Sequence, residues 1–325
     1  MNRRTKGLKT DSLLNGFILA KSAEGLSNNT LYRYKHDLNV FIQYSEGIDF
    51  LNIPKSHVVH FLHYLRTEKT YQRPHQKESK LSDKSIRNYW VSLKSFSTWL
   101  SLEFDVPNFM DNIPSPKFSY REIEPFTKEE VERLIKAGKT ARETVTRNRS
   151  RFIAAMPAAK LNEAIILVLL DTGLRTSELS KLTIGNYDEK TGKLFIESGK
   201  GDKSRIVYLG RSAQRAIWRY LSTRDDCNQP ERPLFLNYNF RPFSSTSLYQ
   251  LIRRLGEKAN IRNAHPHRFR HTFAINYLRN GGNVLALQRL LGHSSLQTVN
   301  IYAKLAEIDL KNAQRISSPV DNWYL

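Results

Sequence analysis

Pro107, Pro114, Pro116 and Pro125 all fall within the twenty residues Val106–Pro125, and the flanks on either side carry helical periods. Proline lacks a backbone donor and clashes with the preceding turn, so no helix crosses this stretch. The chain is therefore expected as two separately packed bodies: 1–105, a linker 106–125, and 126–325. At 325 residues it is long enough for two domains of ordinary size.

Three stretches of the N-terminal block read as helices. Ser12–Ala23 carries Leu13, Leu14, Phe17 and Ile18; Ser27-Asn28-Asn29-Thr30 offers capping side chains to a helix bearing Leu31, Tyr34, Leu38, Phe41 and Ile42. Ser82-Asp83-Lys84-Ser85 opens a third, with Ile86, Tyr89, Trp90, Leu93, Phe96 and Leu100 on one stripe. His57–Leu65 reads as a further helix, and Gln72–Ser79 as a polar connector. Beyond the linker, Thr127-Lys128-Glu129-Glu130 has the form of a capping box for a helix over Glu129–Ala137. Lys139–Arg151 reads as an exposed loop or a fraying helix end. An apolar helix from Leu161 stops at Gly173, a short one follows over Thr176–Leu182, and Lys193–Glu197 and Ser204–Leu209 form a hairpin around a polar turn. The remainder is mostly helical. The fold class expected is mainly α, with a small antiparallel sheet in the second domain.

Charge and composition narrow the function. Lys and Arg number 51 against 31 Asp and Glu, a net charge of +20, which points to a polyanionic partner and most simply to nucleic acid. A merely basic soluble protein is the bland alternative. The lone Cys227 excludes intrachain disulfides and cysteine-rich zinc modules. The longest apolar run, Ala164–Leu170, is far short of the roughly 20 residues of a membrane span, and Met1–Thr10 lacks a signal-peptide pattern. A soluble cytoplasmic protein, associated with the nucleoid and not with a membrane, is expected.

Four of the nine histidines, His265, His267, His271 and His293, lie close together. Arg268 and Arg270 flank the middle pair and no acidic residue is near in sequence, so no metal is expected there. His57, His60 and His63 recur every third residue and read as a partly buried helix face. His267 and Arg270, at i and i+3, share one helix face and can converge on one anion. Arg175 lies just past the Gly173 break, and Lys200 at a glycine-flanked hairpin tip. Cations and imidazoles of this kind suit a phosphate that gains charge in its transition state.

Taken in order, Thr172-Gly173-Leu174-Arg175-Thr176-Ser177-Glu178-Leu179, Gly199-Lys200-Gly201-Asp202-Lys203, His267-Arg268-Phe269-Arg270-His271, Leu291-Gly292-His293-Ser294-Ser295 and Ile301-Tyr302 resemble the tyrosine recombinase family, nearest its Xer-type and simple integrase branch. Leu26–Phe41 and Ser85–Phe96 are similar to helices of that family's core-binding domain, so the likeness runs from about residue 12 to 310. It implies a DNA breaking-rejoining fold and a nucleophilic Tyr302 that forms a 3′-phosphotyrosyl link. Arg175 and Arg270 would hold the non-bridging oxygens, Lys200 would act as general acid, His267 would assist proton transfer, and His293 would bond a phosphate oxygen. Glu178 and His271 would support the pocket. Lys203, Arg205 and Arg268, with Arg33, Lys84, Arg87 and Lys94 in the first domain, would meet the DNA. The same likeness implies no metal, ATP or other cofactor, a duplex with an inverted-repeat core site, and a homotetramer on two sites. It further suggests that Leu305–Ile316 is a helix docking on a neighbouring protomer. Two other readings stand beside it: a DNA-binding protein of the same fold without catalysis, and a type IB topoisomerase-like enzyme. Phe269 stands where the family often has leucine, Lys139–Lys160 is longer than in compact members, and no arm-type domain is expected before Ser12.

Overall fold

In the computed structural model the described residues are 10–71, 78–118, 123–139, 144–146, 149–152, 158–197, 204–237, 239–292, 296–306, 318 and 320. The chain divides into two units, Met1–Arg121 and Glu122–Leu325. The fold is mainly helical, with small antiparallel sheets.

The first unit holds α1 (Thr10–Ala23), α2 (Asn28–Tyr44), α3 (Lys55–Thr67) and α4 (Asp83–Phe104), with the two-residue strands β1 (Thr70–Tyr71) and β2 (Ser79–Lys80) paired between α3 and α4. The capping serines act as their positions suggest: Ser27 Oγ accepts from the Thr30 amide, and Ser82 Oγ from that of Ser85. Phe17, Phe41, Phe61 and Phe96, one from each helix, are fully buried in one core. Of the histidine trio, His57 accepts or donates a 2.8 Å hydrogen bond with Ser45 Oγ, while His60 and His63 are exposed.

The proline-rich stretch is not a free connector along its whole length. Phe109, Met110 and Ile113 are buried in the first core, and Trp90 Nε1 donates to the Ile113 carbonyl. Residues 106–113 thus belong with α4. At the other end Phe126 enters the second core. Proline stops a helix, but it does not stop apolar side chains from packing, so the division falls after Arg121.

The second unit begins with α5 (Lys128–Lys139), capped reciprocally: Thr127 Oγ1 accepts from the Glu130 amide and Glu130 Oε2 from the Thr127 amide. The backbone then pairs β3 (Thr144–Thr146) with β4 (Arg149–Phe152), where the sequence suggested a loop or frayed helix. Next comes α6 (Ala159–Thr172), whose Ala164, Ile165, Ile166, Val168 and Leu169 are fully buried. A helix with buried apolar side chains on most of its circumference packs against more than one neighbour. Accordingly α6 packs against α5, α8 (Arg211–Leu221) and α10 (Pro266–Arg279). The short α7 (Thr176–Leu179) is one turn, not the two anticipated.

The hairpin gains a third strand: β5 (Tyr187–Asp188), β6 (Lys193–Ile196) and β7 (Arg205–Tyr208) pair in that order. Leu194 opposes Val207, and Ile196 opposes Arg205, on the inward face. α9 (Ser245–Lys258), α11 (Val284–Leu291) and α12 (Leu296–Leu305) complete the unit. Ala274, Ile275 and Leu278 of α10, Leu287 and Leu291 of α11, and Val299 and Tyr302 of α12 form a second, smaller core. Among the described residues no helix is long and apolar enough to cross a membrane.

Candidate active site

Gly173 ends α6 in the left-handed conformation (φ 61°), and a Cβ there would lie 2.7 Å from the Phe273 ring. That turn delivers Arg175 to the start of α7, where its amide donates to Glu178 Oε2 at 2.8 Å and its Nη1 to Oε1 at 3.1 Å. Glu178 is shared. Arg205, arriving on β7, donates from Nη1 to Oε1 (2.8 Å) and from Nη2 to Oε2 (2.9 Å), a bidentate fork. Burial pushes the Glu178 carboxyl up, but the Arg205 fork, the Arg175 amide and both guanidinium charges outweigh it and hold it below its ordinary range.

Arg270 stands on α10, which starts with Pro266 in its first turn and with His265 Nδ1 accepting from the Arg268 amide. Arg270 is only 3% exposed. Its Nη1 donates to the Gly173 carbonyl (2.8 Å) and its Nη2 to that of Leu291 (2.7 Å). Gly173 caps α6, and Leu291 is the last residue of α11, so two helix C-termini converge on one guanidinium. Their unpaired carbonyls and dipoles favour a cation. Burial and the Arg175 charge work the other way, against Glu178 and Tyr302, and pull the Arg270 pKa down to about 10. It stays protonated at neutral pH.

Tyr302 of α12 is 3% exposed, and its hydroxyl lies 2.9 Å from His271 Nδ1. Burial pushes the phenol above its ordinary value, against the pull of Arg270 and Arg175. His271, one turn beyond His267 on α10, is held down to about 4 by burial, then by His267, His265 and Arg270. The His267 ring sits 6.5 Å from that of His271 at the exposed edge of the group. Its surrounding protein, then Arg270 and Arg175, keep it below the ordinary imidazole range. Both imidazoles are neutral at pH 7.

The cluster therefore unites Arg175, Glu178, His267, Arg270, His271 and Tyr302. Lys200, Lys203 and His293 lie outside the described residues, as does most of Leu305–Ile316.

Two residues expected on DNA are used internally instead. Besides its fork to Glu178, Arg205 donates from Nε to the Leu290 carbonyl (2.6 Å), and its side chain is 9% exposed. Arg268, 8% exposed, donates to the carbonyls of Glu124, Pro125 and Arg262 and to Glu130 Oε2 at 2.7 Å, with its guanidinium 4.1 Å from the Phe126 ring centroid. In the first unit Arg33, Lys84 and Arg87 are exposed, Arg33 lying over Tyr34 and Arg87 over Phe118, while Lys94 pairs with Asp111 at 3.2 Å.

Both internal roles had a signal in the sequence. Val207 and Leu209 alternate inward, which sets Arg205 on the same face. Arg268, Thr272 and Ile275 follow an i, i+4, i+7 stripe that packs inward with Phe269. The capping role of His265 and the two carbonyls on Arg270 had none, since they depend on where helices end in space.

Residues 124–308 match the phage integrase family. The chain is 29% identical over 306 residues to the tyrosine recombinase XerD of Halalkalibacterium halodurans, covering 90% of this chain and 92% of that protein. It is 32% identical over 241 residues to the tyrosine recombinase XerC of Lacticaseibacillus casei, covering 71% and 75%. The Tn1549 transposon integrase in complex with transposon right end DNA shares the fold at a TM-score of 0.70 and 20% identity, over 89% of this chain and 94% of that one. A lambda integrase dimer bound to a COC′ core site does so at 0.67 and 16%, over 91% and 95%. A family match across more than half of the residues, joined by a relative 32% identical over three quarters of its own length, makes this chain a member of the phage integrase family, an Xer-like tyrosine site-specific recombinase.

Proposed function

We propose that Tyr302 is the nucleophile with which this recombinase cuts and rejoins a duplex core site, through a 3′-phosphotyrosyl intermediate. The observation that carries this reading is the convergence of the Tyr302 phenol with Arg270, Arg175 and an imidazole in one pocket. In the step itself the phenolic oxygen bonds to phosphorus, the bond from phosphorus to the 5′-oxygen breaks, and the ester conserves the bond for a later 5′-hydroxyl. Arg175 and Arg270 hold the two non-bridging oxygens, as planar forks suit an oxyanion pair. Glu178 keeps Arg175 aimed, and Arg205 keeps Glu178 in place. Lys200 protonates the departing 5′-oxygen, and His293 bonds a phosphate oxygen.

The substrate in this reading is a duplex core site with inverted arms, bound by two protomers per site and exchanged within a tetramer on two sites. Support comes from the DNA complexes of fold relatives: the lambda integrase dimer on its core site, and a XerH recombinase on a palindromic difH substrate. The net charge of +20 supports a phosphate backbone as partner.

Nicked duplexes with a randomised core, incubated with the protein and washed under denaturing conditions, test the proposal and recover the site. A covalent adduct is expected for the wild type and none for Tyr302→Phe. Tight DNA binding without any adduct favours a non-catalytic binder, and site-independent relaxation of supercoils favours a topoisomerase.

A further inference from the structure

We propose that His271 is the general base of the reaction: its Nδ1 takes the proton of the Tyr302 hydroxyl as that oxygen attacks the phosphorus. The inference rests on Tyr302 being the nucleophile. It differs from the assignment the family likeness suggested, in which His267 assists proton transfer and His271 only supports the pocket.

Geometry is the first argument. A general base must lie within hydrogen-bond reach of the proton it takes, and His271 Nδ1 is 2.9 Å from the Tyr302 oxygen. The His267 ring centroid lies 6.5 Å from that of His271, whose own lies 5.6 Å from that of Tyr302. Both partners are firmly held. His271 sits mid-helix on α10, and Tyr302 belongs to the smaller core together with Ala274, Ile275, Leu278 and Val299.

Charge is the second. The groups that act on His271 are His265, His267 and Arg270 from its own helix and cap, with Tyr302 facing it from α12. Burial first, and then these neighbours, keep the imidazole neutral, and with its own proton on Nε2 it offers the phenol a lone pair at Nδ1. A scissile phosphate seated against Arg175 and Arg270 brings negative charge into the same pocket and raises the basicity of His271. The base thus strengthens only when there is a phosphate to attack.

The step balances. The tyrosine oxygen bonds to phosphorus and its proton passes to Nδ1, giving an imidazolium; the 5′-oxygen leaves and takes a proton from the general acid. On rejoining, the incoming 5′-hydroxyl gives its proton to the deprotonated general acid and bonds to phosphorus, and the phenolic oxygen leaves and takes back its proton from His271.

Two experiments on the full-length protein decide the matter. In the first, nitrogen-15 spectra of the imidazoles at pH 7 are expected to show His271 neutral, protonated at Nε2 and accepting at Nδ1, with that Nδ1 signal altered in Tyr302→Phe. A tautomer protonated at Nδ1 overturns the proposal without any DNA. The second is single-turnover cleavage, between pH 5 and 9, of the nicked duplex recovered by covalent capture. His271→Asn keeps an acceptor near the Nδ1 position but cannot take a proton. It is expected to slow cleavage on the order of 10²-fold, to abolish the acidic limb of the pH profile, and to leave DNA affinity unchanged. A 5′-bridging sulfur, which needs no general acid to leave, should not restore the rate. His267→Asn should keep the acidic limb. Wild-type rate in His271→Asn, or its rescue by the sulfur substrate, overturns the proposal; an adduct surviving in Tyr302→Phe instead overturns the identity of the nucleophile.

Discussion

Arg205 and Arg268 show how little a positive charge reveals about its use. Each was expected on DNA, and each is buried among acceptors of its own chain. Removing one partner of a buried ion pair costs about 3–5 kcal/mol. Arg205→Ala should therefore lower stability toward denaturant by about that much and depress cleavage, because Glu178 then no longer steadies Arg175. The salt dependence of DNA binding separates this role from a phosphate contact, whose loss would cut the slope by about one; here the slope should be unchanged. Gly292 is tied to the same arginine. Its φ is 63°, and a Cβ would sit 3.0 Å from Arg205 Nη1. Gly292→Ala should cost about 1–2 kcal/mol from the left-handed backbone and displace the guanidinium as well. Denaturant melts together with cleavage rates would expose the double effect, and loss of stability with full activity would contradict it.

Among the helices, α10 concentrates the site. It carries His267, Arg270 and His271, is capped by His265, and is stitched to residues 124–130 by Arg268 and by Thr272, whose Oγ1 accepts from the Phe126 amide. Its start was legible from Pro266, because a proline's fit to the first helical turn is local. The three imidazoles are all held below the ordinary value, His271 at about 4. Between that value and about 6.5 the unfolded chain binds protons that the folded chain refuses, so stability falls as pH falls. Glu178, likewise held low, acts in the same sense at more acid pH. The melting temperature of the second unit should drop from pH 7.5 to pH 5, and His271→Asn should flatten the decline. A melting temperature that rises on acidification would show that the fold does not hold these imidazoles neutral.

At the scale of the molecule, each of the two units is built on its own large core among the described residues. Phe17, Phe41, Phe61 and Phe96 share one, while α6 organises the other with contributions from Phe126 onward. Residues 1–121 and 122–325, expressed separately, should each unfold in a single cooperative transition, read by circular dichroism. A division at residue 105 would strip Phe109, Met110 and Ile113 from the first core, so 1–105 should melt lower than 1–121. The linker was misjudged at its near end for a plain reason: prolines announce the end of a helix, whereas the burial of the residues between them depends on a surface supplied by α4.

The helices, their caps, the hairpin and the ordered motifs could be read directly from the chain, because each rests on neighbours within about four residues or on strict alternation. The candidates for the reacting groups came from the resemblance carried by those ordered motifs. What folding alone decided is which cations are consumed inside, that the ends of α6 and α11 meet on Arg270, and that His271 is the imidazole against the phenol. Those outcomes depend on desolvation and on partners as remote in sequence as Gly173 and Arg270, or His271 and Tyr302, and no local pattern records such distances.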